Sequence, residues 1–332
     1  MTITDKRETP EVPLTAHRSS LANSSFTWLS TFAASLILVL LAAVATFLIV
    51  EAWPALTDGG AILAEKVSWI KPDVGERLIQ VIGYLVFGTI LISAIALLIA
   101  TPLSIGIALF ISHYAPRKLA SGLGYLIDLL AAIPSVVYGL WGAIVLVPVL
   151  QPFYAWLGAH FGWIPLFAPD PLTGVVSPTG RVALSAGIVL AIMIIPIITA
   201  VTREVFLQTP KLHEEAALAM GATRWEMIRM AVFPFGRSGM IGATMLGLGR
   251  ALGETMAVYM ILSVGLSYSF NIVQSGEHNT IASYIAGQFP EANSYGVSAL
   301  IAMGLALFLI TLLVNSLARW IVSRRSEFSG AN

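Results

Sequence analysis

The sequence predicts an all-α membrane protein with six transmembrane helices, and three observations carry that prediction. Of 332 residues, 57% are hydrophobic and only 11% charged, with a mean hydropathy of +0.84, far too apolar for a soluble domain of this length. The apolar residues fall in runs of about 20 or more, the length that crosses a hydrocarbon core. Lys and Arg gather in alternate connecting segments, the asymmetry that orients membrane helices. A formal net charge of zero conceals that asymmetry.

Residues 1–25 are polar, with Pro10, Pro13 and many Ser and Thr, and predict a flexible cytoplasmic lead. The first span, Phe26 to Val50, is uncharged, too long for the apolar core of a signal peptide and lacks a small-residue cleavage site after it, which predicts a retained helix. The second, Leu78 to Ser112, exceeds one bilayer thickness and contains Pro102, so it is expected to bend or to project beyond the hydrocarbon. The third is Leu119 to Leu150, with Asp128 and Pro134; the fourth is Val182 to Thr202, with Pro196. The fifth is Ser238 to Leu266 and the sixth Val297 to Ile321, so that residues 26–325 form one transmembrane domain and 326–332 a short tail.

Six spans put both termini on one side. With the N-terminus cytoplasmic, the inward segments hold thirteen Lys and Arg residues and the outward ones four, Lys66, Lys71, Arg77 and Arg181. That ratio predicts cytoplasmic termini. The outward loops, Glu51 to Arg77, Gln151 to Arg181 and Ser267 to Gly296, are too short for a receptor domain; Trp156 and Trp163 give the second an interfacial character.

Several chemistries lack their residues. There is no cysteine, and the five histidines, His17, His113, His160, His213 and His278, are scattered and call for no metal. No GxxxxGK[ST], HExxH or GxSxG occurs, and none of the five lysines follows a glycine. The chain therefore predicts no catalytic residues, no cofactor of its own and no nucleic-acid partner.

The most informative polar stretch is the inward segment Arg203 to Arg237. Pro210 stands where a helix could begin, Glu214 and Glu215 follow it, and Arg224 and Arg229 come later, an order that complements a helix dipole. Leu212, Ala216, Ala219 and Met220 recur at helical spacing, Gly221 permits a tight turn between two short helices, and Pro234 is expected to close the unit. From these residues alone, a solvated hairpin that merely joins two spans and a docking element are equally good readings.

Glu215-Ala216-Ala217, with Gly221 six positions after the Glu and Pro234 beyond, resembles the EAA loop of ATP-binding-cassette importer permeases. Its tail departs from that pattern, with Ala231 and Phe233 where the family carries Ile and Leu. The resemblance implies that Glu215, Ala216, Ala217, Gly221, Ala222 and Thr223 belong to a coupling helix that docks on a separate ATPase subunit, which would bind ATP-Mg. Two further stretches, Asp128 to Gly142 (DLLAAIPSVVYGLWG) and Gly249 to Ala257 (GRALGETMA), look like those of phosphate-importer permeases, and the similarity runs from about residue 26 to 325. It implies a type I importer permease fold in a bacterial inner membrane, a second and similar permease chain, an ATPase dimer, an external phosphate-binding protein, and phosphate as cargo. A permease for sulfate or molybdate, or a secondary transporter or channel, are the alternatives.

Arg250 and Glu254 stand four positions apart in the fifth span, a spacing that predicts one helix face and a pair one turn apart. An arginine at mid-membrane costs roughly 2.5–3.5 kcal/mol on insertion scales, so the span is expected to face protein or water. Gly242, Gly247, Gly249 and Gly253 allow neighbouring backbones close, making a narrow polar seam. Such a pair could simply lock helix packing, or the guanidinium could meet a tetrahedral oxyanion with Glu254 keeping the contact weak. The resemblance favours transport. Ser135 and Tyr138 follow Pro134, where a broken helix would turn hydroxyls toward a cavity, and join Arg250 and Glu254 as candidate pathway residues. Asp128 is expected at the interface or beside a basic residue.

Overall fold

A computed structural model describes residues 21–57, 66–67, 69, 77–171 and 173–326. The predicted lead up to residue 20, the middle of the predicted first outward loop and the tail after Ser326 lie outside these residues. The described chain is helical, with one isolated antiparallel bridge between Val182 and Ser275. It contains five helices long and apolar enough to cross a membrane: Phe26–Thr57, Leu78–Tyr114, Ser135–Phe161, Ala183–Leu207 and Ser294–Trp320. Four of the predicted spans and the second half of another are thus present as membrane-length helices.

The chain divides into two compact units, residues 1–47 and 48–332. The first holds most of helix α1 (Leu21–Thr57), exposed on every face from Phe26 to Val44 and mostly apolar there, with the Ser30, Thr31 and Ser35 hydroxyls turned back onto helix carbonyls, as suits a helix solvated by hydrocarbon. Trp28 stacks on Phe32 there, with centroids 5.7 Å apart.

In the second unit, α2 (Leu78–Leu109) and α6 (Ala183–Leu207) form the central pair, and between them in the chain come α3 (Arg117–Ala131), α4 (Ser135–Trp141) and α5 (Val147–Phe161). Small residues set the approach of α2 to α6: Ala96 and Ala100 of the one and Ala186 and Ala191 of the other are buried in one apolar cluster. A Cβ added at Gly187 would lie 2.5 Å from Ile95 Cγ2, so the glycine is a steric requirement. Ser104 Oγ donates to the Ile195 carbonyl at 3.2 Å across the same contact.

The remaining helices are α7 (Lys211–Ala219), α8 (Arg224–Met227), α9 (Phe233–Gly253), α10 (Met256–Ile261), α11 (Ile281–Gln288) and α12 (Ser294–Ser326). A second cluster packs α12 (Ala299, Leu300, Met303) against α2 (Val81, Leu85) and α11 (Ile281, Tyr284). Between α10 and α11 the backbone is not helical, and Ile281 N–H donates to Thr89 Oγ1 at 3.0 Å. Thr89 lies eleven residues into α2, about 16 Å along its axis at 1.5 Å per residue, so this segment re-enters the bundle to roughly half a membrane's depth.

Prolines shape the helices in a way the sequence reading treated too simply. Pro102 lies inside the continuous α2 and Pro196 inside α6, neither ending its helix. Three π-helical turns, Phe110–Tyr114, Gly142–Leu146 and Ile228–Val232, are each followed two residues later by Pro116, Pro148 or Pro234. Proline has no N–H and its ring collides with the carbonyl four residues back; a widened turn removes both conflicts. Pro234 therefore does not close the insert: α8, the π turn and α9 run on as one helical stretch from Arg224 to Gly253.

The third predicted span is corrected as well. The chain breaks at Ala132 to Pro134, Arg117–Ala131 is a separate amphipathic helix, and the membrane-length helix is Ser135–Phe161, so the loop predicted from Gln151 begins only after Phe161. Asp128 is exposed on α3.

Replacing Gly187 with Leu should overpack the central pair by about 1–3 kcal/mol. It is expected to lower the melting temperature of the purified protein in detergent; an unchanged melt would mean that α2 and α6 do not meet there.

Candidate functional site

The fifth predicted span is not a continuous helix. α9 ends at Gly253, Glu254 adopts an extended backbone (φ −68°, ψ 125°), and α10 starts two residues on at Met256. Arg250 and Glu254 are therefore not one turn apart on one helix, and no ion pair joins them among the described residues. Each charge instead sits at a helix end of the complementary sign. Arg250 lies in the last turn of α9, the negative end of that helix; the Glu254 carboxylate, 7% exposed, accepts from the Ala257 N–H of α10 at 3.1 Å. Charges at partly buried helix ends are stabilised by up to ~2 kcal/mol.

α4 lies against α10. A Cβ on Gly139 would come within 2.6 Å of the Ala257 Cα, so a residue of any other type would push the two short helices apart. That approach places Tyr138 near the break: its hydroxyl donates to the Leu130 carbonyl at 2.9 Å, across the Ala132–Pro134 interruption, and lies within Coulombic reach of Arg250. Ser135 is half-buried in the first turn of α4, one turn before Tyr138. Two helix breaks thus face each other, and three of the four predicted pathway residues, Arg250, Glu254 and Tyr138, gather there with Ser135 alongside. Arg250 is half-buried, so its donors remain open to an anion.

The sequence reading missed the residue that fixes the far end of α10. Arg181 donates from Nε to the Ile261 carbonyl (3.3 Å) and from Nη2 to those of Met260 (3.1 Å) and Leu262 (3.4 Å). A signal was available, because Arg181 is one of only four basic residues on its side of the chain.

The inward segment has the two-helix form expected of it. Gly221 has φ +86°, a left-handed conformation that other residues adopt only at a cost, and it turns the chain between α7 and α8. Thr223 caps α8 in a reciprocal box: the Glu226 N–H donates to Thr223 Oγ1 (3.3 Å), while the N–H and hydroxyl of Thr223 both donate to Glu226 Oε2 (2.8 Å each). Ala217, Met227, Ile228 and Val232 are buried against Ala108 and Leu109 of α2 and Phe206 of α6, with Ala222 packed beside them. His113 Nε2 lies 3.5 Å from Glu214 Oε1. The opposite side of α7, with Leu212, Glu215, Ala216 and Met220, is exposed, as is Trp225. The hairpin is thus clamped to two membrane helices on one side and exposed on the other.

Helix breaks inside a multi-pass helical bundle, with a braced hairpin beside it, are an arrangement found in membrane transport proteins. Residues 100–327 match the family described as binding-protein-dependent transport system inner membrane component, and the chain belongs to that family. It is similar to the phosphate transport system permease protein PstC 2 of Mycobacterium bovis, with 44% identity over 289 residues covering 86% of this chain and 87% of the relative. It is likewise similar to PstC of Mesorhizobium japonicum, with 40% identity over 323 residues covering 96% and 95%. Among solved structures it is similar to a chain of the MetNI methionine ABC transporter in inward-facing form, at 17% identity and a TM-score of 0.49, covering 73% of this chain and 93% of that one. The protein is a non-catalytic permease subunit of the inner membrane.

Hydrogen bonds first from the Thr223 backbone and then from its hydroxyl hold the Glu226 carboxyl below the usual carboxylate range. A depressed pKa stabilises the fold above the ordinary carboxylate value of about 4.3 and ceases to do so as pH falls through the depressed value. Hydrogen exchange of the α8 amides should therefore speed up as pH is lowered below about 4 relative to the intrinsic rate, and Glu226→Gln should remove that pH dependence. Exchange that stays pH-independent in the unaltered protein would mean that the box does not hold α8.

Proposed function

We propose that this chain is one permease subunit of an ATP-driven importer of inorganic phosphate, working beside a second, similar permease chain, an ATPase dimer and an external phosphate-binding protein. The observation that carries the reading is near-full-length similarity to phosphate permeases, joined to an arginine held at the junction of two broken helices. In this reading α9 and α10 together form one discontinuous span that completes the six of a type I importer fold. The excess of Lys and Arg in the segments that include Arg203 to Arg237 supports cytoplasmic termini and a cytoplasmic hairpin.

Arg250 presents a permanently charged, planar donor array suited to a tetrahedral oxyanion. Glu254, buried one break away, limits how tightly the anion is held, so that it is passed on rather than trapped. Tyr138 supplies a hydroxyl on the facing helix and Ser135 a second. No step requires chemistry on the anion itself.

The exposed side of α7, with Glu215 and Ala216, is the surface for the ATPase, and buried Ala217, with Ala222 beside it, ties the hairpin to α2 and α6. Gly221 and Thr223 fix the angle between α7 and α8. ATP-Mg is bound by the partner; closure of the ATPase dimer would push the hairpin, and through α8 and the π turn the push reaches α9, which ends just past Arg250. Transport is then a shift between two pathway states driven by differential contacts at the hairpin.

Reconstitution of the complete complex in vesicles with the binding protein tests this directly. Labelled phosphate should accumulate only with ATP, and excess sulfate or molybdate should not compete; competition by either would reassign the cargo. Arg250→Gln should lower uptake by about ten- to a hundredfold, the loss of a charge-assisted hydrogen-bonding group, with the complex still assembled. Uptake at the unaltered rate would remove Arg250 from the pathway.

A further inference from the structure

A second cationic position lies at the other end of α10. An open cleft of about 410 Å³ is lined by Arg181, Met256, Tyr259, Met260, Leu262, Ser263 and Val264. Met256, Tyr259 and Met260 stand at helical spacing on one face of α10, and Ser263 follows in the extended segment after it, so the cleft runs from the break beside Glu254 to the end that Arg181 holds. Six residues at 1.5 Å make that run about 9 Å. Arg181 stands immediately before α6, whose 25 residues span about 37 Å to the hairpin, so the cleft opens at the end of the bundle opposite the ATPase surface.

The chemistry of the cleft is one-sided. Arg181 is exposed, its Nε and Nη2 are engaged by the carbonyls of Met260, Ile261 and Leu262, and its Nη1 has no hydrogen-bond partner among the described residues. The three carbonyls fix the guanidinium in place and, being the negative end of a short helix, temper its charge without cancelling it. Ser263 N–H donates to the Arg181 backbone carbonyl at 3.3 Å, which ties the two backbones together where both residues line the cleft. No carboxylate lines the cleft among the described residues. A rigid, half-neutralised guanidinium with a free donor edge, next to hydroxyls and away from acids, has the chemistry of a weak oxyanion site.

We propose that Arg181, with Ser263 and Tyr259, forms an outer anion-binding station at which phosphate released from the binding protein is held before it passes along α10 to Arg250. The proposal rests on the importer reading above. Weak binding suits such a station. It keeps the anion from escaping outward during the short interval in which the pathway is open, and it releases the anion inward to the second guanidinium.

Complete complex in vesicles, supplied with binding protein and ATP, gives the readout: phosphate taken up per ATP hydrolysed. Arg181→Gln should lower that ratio by about tenfold, the anion being lost outward while hydrolysis continues, whereas Arg181→Lys, which keeps the charge but not the fork to three carbonyls, should stay within about twofold of the unaltered complex. Equal losses in both would make Arg181 only a clip for α10, and no loss in the Gln form would overturn the station altogether. Should Arg181→Gln fail to assemble, Ser263→Ala decides the matter: a two- to fivefold lower ratio, of the order of one neutral hydrogen bond, supports the station, and an unchanged one overturns it. Absence of phosphate uptake by the unaltered complex would instead refute the importer reading itself.

Discussion

The structure depends on how two charges inside an apolar span, one buried and one half-buried, are satisfied. At the level of the α9–α10 break, two charged side chains lie in a span that would otherwise be marginal in hydrocarbon, and they do not neutralise one another. The backbone does it for them. By stopping at Gly253 and restarting at Met256, the chain produces the negative end of one helix at Arg250 and the positive end of another at Glu254. An ion pair would have used the arginine's donors; helix ends stabilise it while leaving those donors available. The break is therefore the solution to a solvation problem and, in the proposed importer, what leaves the arginine able to meet an anion.

The same economy links the site to the hairpin. α8, the π turn and α9 run without interruption from Thr223's cap to Arg250's turn, so the rigid body that carries the arginine begins in the polar insert. The hairpin is braced by apolar contacts to α2 and α6, the two helices that also form the core of the bundle. In the proposed cycle, a displacement at the hairpin would be passed to the break along this one continuous helical stretch.

Much of this was legible in the sequence. Four of the spans, the hairpin and its turn at Gly221 follow from hydropathy, charge placement and glycine at a left-handed position. Two of the errors share a cause, which is that apolar runs do not mark helix breaks in hydrocarbon. Leu119 to Leu150 reads as one span because Ala132 and Ile133 are as apolar as their neighbours, yet the chain turns there. Ser238 to Leu266 reads as one helix because Gly253 and Thr255 are tolerated in membrane helices, whereas the bond from Ala257 N–H to the Glu254 carboxylate, which accompanies the interruption, is a local geometry that hydropathy does not show. Pro234 looked like a terminator because a π turn, invisible in composition, lets a helix pass a proline. Arg181 was hidden by its place in an irregular loop, where no periodicity predicts which carbonyls a guanidinium will reach.

The most direct measurement of the central claim is a charge exchange, Arg250→Glu with Glu254→Arg, compared with each single change for thermal stability of the purified complex and for phosphate uptake. If helix ends hold the charges, the exchange places a carboxylate among carbonyls and a guanidinium among N–H groups, so the double variant should be no more stable than the worse single variant and should remain inactive. Recovery of stability in the exchanged protein toward the unaltered value would mean that the two residues compensate each other as a pair, and would contradict the account.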